Sequence, residues 1–288
     1  MNNLIKINAS LLTLFLIIAG LISYRINTEK LPVMNNTAGI EMPVIMYHSV
    51  LKDTNLSGKY VITPAQLDDD LKHIENLGYT TVSMDTVISY VKNGTPIPEK
   101  PILLTFDDGC YNNYIYALEI IEAHNAHAVF CVVGEYTDQY TQSDVANLTY
   151  GYMRWQDINE LIKNPHAELA NHSYGFHSHS NGRNGSKRNS GEDSNEYREI
   201  FRKDTEKAQN CFISNTGFAP YIYAYPFGAY SPESFDILKE MGFEATLSCN
   251  EGINVLTNNS ECLYLLKRYN RPSGISSADF FAKIEAAE

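Results

Sequence analysis

Between Val44 and Ala286, short apolar runs alternate with helical stretches about eight times, without an internal repeat. That alternation leaves few topologies open. A strand that rejoins its sheet by way of a helix lies parallel to its predecessor, and parallel strands need cover on both faces. The predicted architecture is α/β, a parallel sheet closed or nearly closed into a β/α barrel. In such a barrel the chemistry sits at the carboxyl ends of the strands. The apolar run Pro101–Phe106 ends in Asp107-Asp108-Gly109. His48 follows the predicted strand Val44–Tyr47, His172 follows Glu168–Ala170, and Phe227-Gly228 follow Ile222–Tyr225. Later strands are predicted at Phe243–Leu247 and Leu263–Leu266, helices at Asn113–His124 and Glu196–Cys211, and loops over residues 135–152 and 178–195.

The 288 residues, 44% of them hydrophobic, suffice for one large core. A net charge of −12 argues against a nucleic-acid partner, because nothing would neutralise a phosphate backbone. Leu11–Ile22 form an apolar run with Lys6 before it, and counted from Ile7 to Tyr24 the stretch can span a bilayer as a helix. No Ala-x-Ala pattern follows, so residues 1–24 read as an uncleaved signal-anchor, with a cleaved signal peptide as the alternative. Residues 25–42 read as a polar linker. Residues 43–288 read as a single catalytic domain outside the cell membrane, or secreted if the leader is removed. Cys110, Cys131, Cys211, Cys249 and Cys262 show no zinc-site spacing, and most read as small buried hydrophobes.

Two adjacent carboxylates repel each other when both are ionised. A cation relieves that repulsion by taking one and leaves the other free as a base. His172 and His177, five residues apart after a strand, complete with Asp108 a set of two histidines and one carboxylate. Such a set suits Zn²⁺ or another first-row divalent ion with a position open for water. His179 is a rival to His177, and a surface Asp-Asp-Gly turn is the plainer reading of the first motif.

Thr105-Phe106-Asp107-Asp108-Gly109 and Asn171-His172-Ser173 resemble the first two signature motifs of the polysaccharide deacetylases, carbohydrate esterase family 4, the NodB-homology domain. Tyr225-Pro226-Phe227-Gly228 resembles the third motif, and Met46-Tyr47-His48 the opening strand of many members. The resemblance covers roughly Met42–Glu288. It implies a distorted (β/α)7-type barrel. It also implies removal of N-acetyl groups from a cell-wall or extracellular polysaccharide containing N-acetylglucosamine, with one divalent ion, expected to be zinc. Residue by residue, it implies Asp107 as general base, Asp108, His172 and His177 as metal ligands, and the backbone N–H of Phe227 as oxyanion donor.

The commonest family spacing would put the second histidine at Phe176; the longer spacing here is similar to the branch acting on poly-N-acetylglucosamine. Ala224 stands where many members carry an arginine that orients the base. No histidine follows His179 to serve as the family's late general acid. Arg268 and Arg271, after the last predicted strand, are expected to bind substrate or to hold Asp107, and His48 is expected to donate the proton. Arg183, Lys187 and Arg188 lie in a loop that either overhangs the groove or is simply solvated. The vacant acid keeps two further classes open, an inactive sugar-binding relative and a metal-dependent hydrolase of another amide.

Overall fold

The computed structural model describes residues 39–179 and 182–287. The predicted signal-anchor and most of the predicted linker lie outside them. Among the described residues no helix is long and apolar enough to cross a membrane. The strands are β1 (Ile40–Met42), β2 (Val44–Tyr47), β3 (Ser49–Val50), β4 (Val61–Ile62), β5 (Thr80–Thr81) and β6 (Pro101–Phe106). They continue with β7 (Ala128–Val132), β8 (Ala167–Asn171), β9 (Ile222–Ala224), β10 (Ala245–Leu247), β11 (Asn254–Leu256) and β12 (Tyr269–Asn270). The α-helices are α1 (Pro64–Asn76), α2 (Met84–Asn93), α3 (Leu118–Ala123) and α4 (Gly134–Ser143), then α5 (Trp155–Leu161), α6 (Ser194–Thr216), α7 (Glu233–Glu240) and α8 (Ser277–Glu285).

The main sheet runs β10-β9-β8-β7-β6-β2-β12 with every neighbouring pair parallel, as the alternation requires. Leu266 N–H donates to Thr246 O at 2.8 Å and Arg271 N–H to Met46 O at 3.0 Å. Residues 266–271 therefore line the seam of the curled sheet, against β10 at one end and β2 at the other. All six residues of β6 are buried, which explains its unbroken apolar sequence. Ile102, Leu104 and Phe106 join a cluster with Leu67 of α1, Leu118 of α3 and Phe281 of α8. Leu103 belongs to a second cluster, with Val129, Cys131, Ala170 and Leu247. Successive strand residues point to opposite faces, so Thr105 and Asp107 continue the Leu103 face.

The last strand is not Leu263–Leu266. Asn259 accepts a hydrogen bond from Glu261 N–H and caps a 3₁₀ turn that ends at Leu263, Leu265 turns at φ +59, and only Leu266 bridges to Leu247 of β10. Pairing with β2 begins only at Tyr269, so Arg268 precedes the last strand and Arg271 follows it. The predicted loop 135–152 contains α4, whose buried side is Gly134 and Thr137 rather than an aliphatic stripe. Helix α6 runs past both predicted ends: Asp193 caps its start, accepting from Asn195 and Glu196 N–H, and it continues to Thr216, where Gly217 at φ +72 ends it. Ile40–Met42, assigned to the linker, pair antiparallel with β11. All five cysteines are free thiols, and Cys131 is the buried one.

Candidate active site

Asp107 leaves β6 on the inner face and is almost fully buried. Arg268, also buried, grips it as a fork, with Nη1 donating to Oδ1 at 2.7 Å and Nη2 to Oδ2 at 2.9 Å. The guanidinium is itself fixed by the Ser248 carbonyl at 2.7 Å and the Thr105 hydroxyl at 3.1 Å. Burial pushes the Asp107 carboxyl up, but the Arg268 charge and hydrogen bonds, together with the nearby His172 and His48, more than offset it and hold the pKa at about 2. Asp107 is thus oriented by an arginine although Ala224 occupies the third-motif position. Arg268 acts through Asp107 and does not reach a substrate. Arg271 is not at the site: it is buried against Asp70, with Nε 2.8 Å from Oδ2. The expectation of substrate binding fails for both arginines because each spends its donors on a buried carboxylate.

Asp108 would face away from the mouth in a continuing strand. It instead has φ +71, followed by Gly109 at φ +73, and this turn re-aims its carboxylate. A side chain at Gly109 would combine that disfavoured φ with contact at 3.4 Å to Val132. Nε2 of His177 lies 2.9 Å and Nε2 of His172 lies 3.6 Å from Asp108 Oδ1. His172 Nδ1 donates to the Ala224 carbonyl at 2.7 Å, leaving Nε2 as the lone-pair nitrogen. Tyr136 on α4 donates its hydroxyl to the His177 carbonyl at 2.8 Å and lies 3.2 Å from His177 Nδ1. Its oxygen is free to accept from that nitrogen, which fixes the same tautomer.

Asp108 Oδ1 is buried without a hydrogen-bond partner. One oxygen and two nitrogens, all within 4.8 Å of one another, therefore present lone pairs to a common point. This donor set fits a divalent cation. Among the described residues His179 is not in that group; its ring stacks on Phe227 at 4.3 Å.

A cleft of about 590 Å³ opens over these groups, walled in part by His48, Tyr60, His179, Phe227 and Cys249. Phe227 sits at φ 58 in the turn after β9, with its ring also 4.5 Å from His177. His48 leaves β2 with its carbonyl accepting from Asn113 Nδ2 and its ring 4.6 Å from Tyr60. Burial lowers its pKa against the pull of Asp107 and Asp108. The mouth thus brings together Asp107, Asp108, His172, His177, Phe227 and His48. It also recruits Tyr136 and Tyr60, neither of which is marked by any motif spacing.

Comparison with known proteins bears on the fold and the family. A curated relative, poly-beta-1,6-N-acetyl-D-glucosamine N-deacetylase of Escherichia coli strain K12, is 24% identical over 228 residues. That match covers 73% of this chain and 34% of the relative, so the chain spans about a third of the relative's length. The de-N-acetylase from Aggregatibacter actinomycetemcomitans superposes with a TM-score of 0.70 at 22% identity, covering 84% of this chain and 99% of the other. Streptococcus pyogenes deacetylase PplD gives 0.68 at 17% identity, with 85% and 99% covered. The family model described as polysaccharide deacetylase matches residues 94–246. That match takes in the strand end at Asp107, the histidine pair and the turn at Phe227, and it is more than half of the chain, which therefore belongs to the polysaccharide deacetylase family.

Proposed function

We propose that the chain is a metal-dependent hydrolase that removes N-acetyl groups from a polysaccharide containing N-acetylglucosamine. The supporting observation is Asp108 Oδ1, buried without a donor and facing Nε2 of two histidines beside an arginine-held Asp107. Asp108, His172 and His177 would hold the ion, with zinc the expected one from the donor set. When bound, such an ion polarises a carbonyl and lowers the pKa of a water toward neutrality.

The chain's own groups do the rest. Asp107, ionised throughout the neutral range, takes a proton from the attacking water. Being a weak base, it gives that proton up readily, and the departing amine receives it directly or by way of His48. The oxyanion that develops on the acetyl oxygen is met by the Phe227 N–H, a kind of contact worth about 3 kcal/mol. The C–N bond breaks, and acetate and a free amine leave. The Tyr60 and Phe227 rings on the cleft walls suit the faces of sugar rings.

The relative named above acts, by its name, on poly-beta-1,6-N-acetyl-D-glucosamine, and that polymer is the first substrate to try. The proposal places the domain outside the cell membrane, tethered by residues 1–24. The test is release of acetate and free amine from defined N-acetylglucosamine polymers, with and without prior chelation. Turnover that chelation abolishes and zinc restores supports the reading. A second reading, an inactive sugar-binding relative, draws on the absence of any histidine after His179. Polymer binding without acetate release would establish it.

A further inference from the structure

His172 and His177 are joined by a loop that must turn back within a few residues. Ser173, not a glycine, takes φ +68 there, a region disfavoured for a residue with a side chain. The backbone of the loop is pinned on several sides. Ser173 N–H donates to Asn171 Oδ1 at 2.8 Å, and Phe176 N–H to Ser173 Oγ at 3.2 Å. The Ser173 and Tyr174 carbonyls accept from Gly134 and Glu135 N–H at the start of α4, both at 3.0 Å. At the apex, Asp204 of α6 receives two successive donors, Tyr174 N–H on Oδ1 at 2.9 Å and Gly175 N–H on Oδ2 at 2.7 Å. A Cβ on Gly175 would sit 3.5 Å from the same carboxylate, so the backbone is drawn close to it. Burial lifts the Asp204 carboxyl to about 6, against the pull of those two N–H groups.

We propose that Asp204 is a positioning residue for the metal centre: its carboxylate clamps Tyr174 and Gly175 and so sets the reach at which Nε2 of His177 meets the oxygen that His172 also faces. The inference rests on the metal reading of Asp108, His172 and His177. Four residues between ligands can close in many ways, and only a few of them bring both nitrogens to one point. A bidentate clamp at the apex selects among them before an ion arrives, as hydrogen-bonded partners behind metal ligands do elsewhere.

The test measures zinc affinity, by competition with a chromophoric chelator, on the metal-stripped full-length chain and on Asp204→Ala and Asp204→Asn. The melting temperature of each metal-free protein is recorded alongside. The expected result is an affinity loss of about 10- to 100-fold for Asp204→Ala. Asp204→Asn, which keeps one oxygen for one of the two donors, should fall between that and the parent, and cobalt absorption should change in the same order. A role confined to folding predicts a lower metal-free melting temperature with zinc affinity within about threefold of the parent, a margin set well below that range; this outcome overturns the proposal. Should Asp204→Ala not fold, the nearly isosteric Asp204→Asn decides by the same criterion. A parent chain that binds no zinc overturns the metal reading and this inference with it. A binding parent with equally binding variants overturns the inference alone.

Discussion

Two arginines three residues apart, Arg268 and Arg271, each bury an ion pair with an aspartate, and the two pairs do different things. Around Arg271 every acceptor is used. Asp70 receives Nε and Nη2, the Tyr47 hydroxyl at 3.2 Å and the Ser277 hydroxyl at 2.6 Å. The remaining guanidinium nitrogen is spent on the Pro272 and Ile275 carbonyls. This knot ties α1, β2 and α8 together and has no route to the cleft. Around Arg268 the fork takes one face of Asp107, while the carboxylate still lines the cleft. What separates a structural ion pair from a working one is therefore not burial or geometry. It is whether acceptor capacity is left over where a substrate can reach it.

The sharpest way to break that distinction is to neutralise each aspartate in turn. Asp107→Asn should keep its metal and lose about a hundred- to ten-thousandfold in turnover, the usual worth of a general base. A variant within about threefold of the parent rate would remove Asp107 from that role. At the other pair, Arg271→Met strands a buried carboxylate with only two hydroxyl donors. Stability should fall by about 3 kcal/mol, the lower end for a broken buried pair. Activity per folded molecule should be unchanged. Denaturant unfolding together with active-site-normalised kcat checks this, and a fall in kcat at constant fold would erase the difference between the pairs.

A subtler change tests what the fork contributes. Arg268→Lys keeps the charge beside Asp107 but replaces two parallel donors with a single ammonium, which cannot hold the carboxylate plane. Turnover should drop about ten- to hundredfold with metal content unchanged, because a small misplacement of a reacting group costs that much. Full activity in this variant would mean that charge alone, and not orientation, is what Asp107 needs.

The same two pairs show where the sequence was legible. Asp107, Asp108, His172 and Phe227 stand directly after apolar runs, so their place at the strand ends follows from local pattern. The partner of Asp107 lies 161 residues away, and nothing local distinguishes Arg268 from Arg271. Strand β12 is only Tyr269–Asn270, too short to show a period, and of the more apolar stretch before it only Leu266 meets the sheet, because Leu263 ends a capped turn and Leu265 turns at φ +59. Tyr136 was hidden for a related reason. Helix α4 buries glycine and threonine, not an apolar stripe, so its sequence reads as loop although it orients His177. Residues whose function depends on a partner far along the chain are the ones that periodicity does not reveal.

The last expected effect concerns the proton that must reach the leaving amine. Asp107 is ionised and well placed to collect a proton, but the Arg268 fork leaves it one free face, which the attacking water would occupy. His48 lines the same cleft, with Nδ1 buried and lacking a partner among the described residues. Burial lowers its pKa, so near neutral pH the ring is neutral and serves as a relay, taking the proton that Asp107 collected at one nitrogen as it gives its N–H proton to the amine from the other. His48→Ala should therefore cost about a hundredfold on an N-acetyl substrate, the low end for acid–base assistance. On an acetyl ester of the same sugar, whose leaving group needs little protonation, the loss should be about tenfold smaller. Measuring kcat/KM on both substrates, in a variant whose melting temperature matches the parent, reads this ratio directly. Equal losses on amide and ester would place the donor elsewhere. Asp107 would then collect the proton and deliver it, making its unsaturated face the whole of the acid–base machinery and widening the contrast with Asp70.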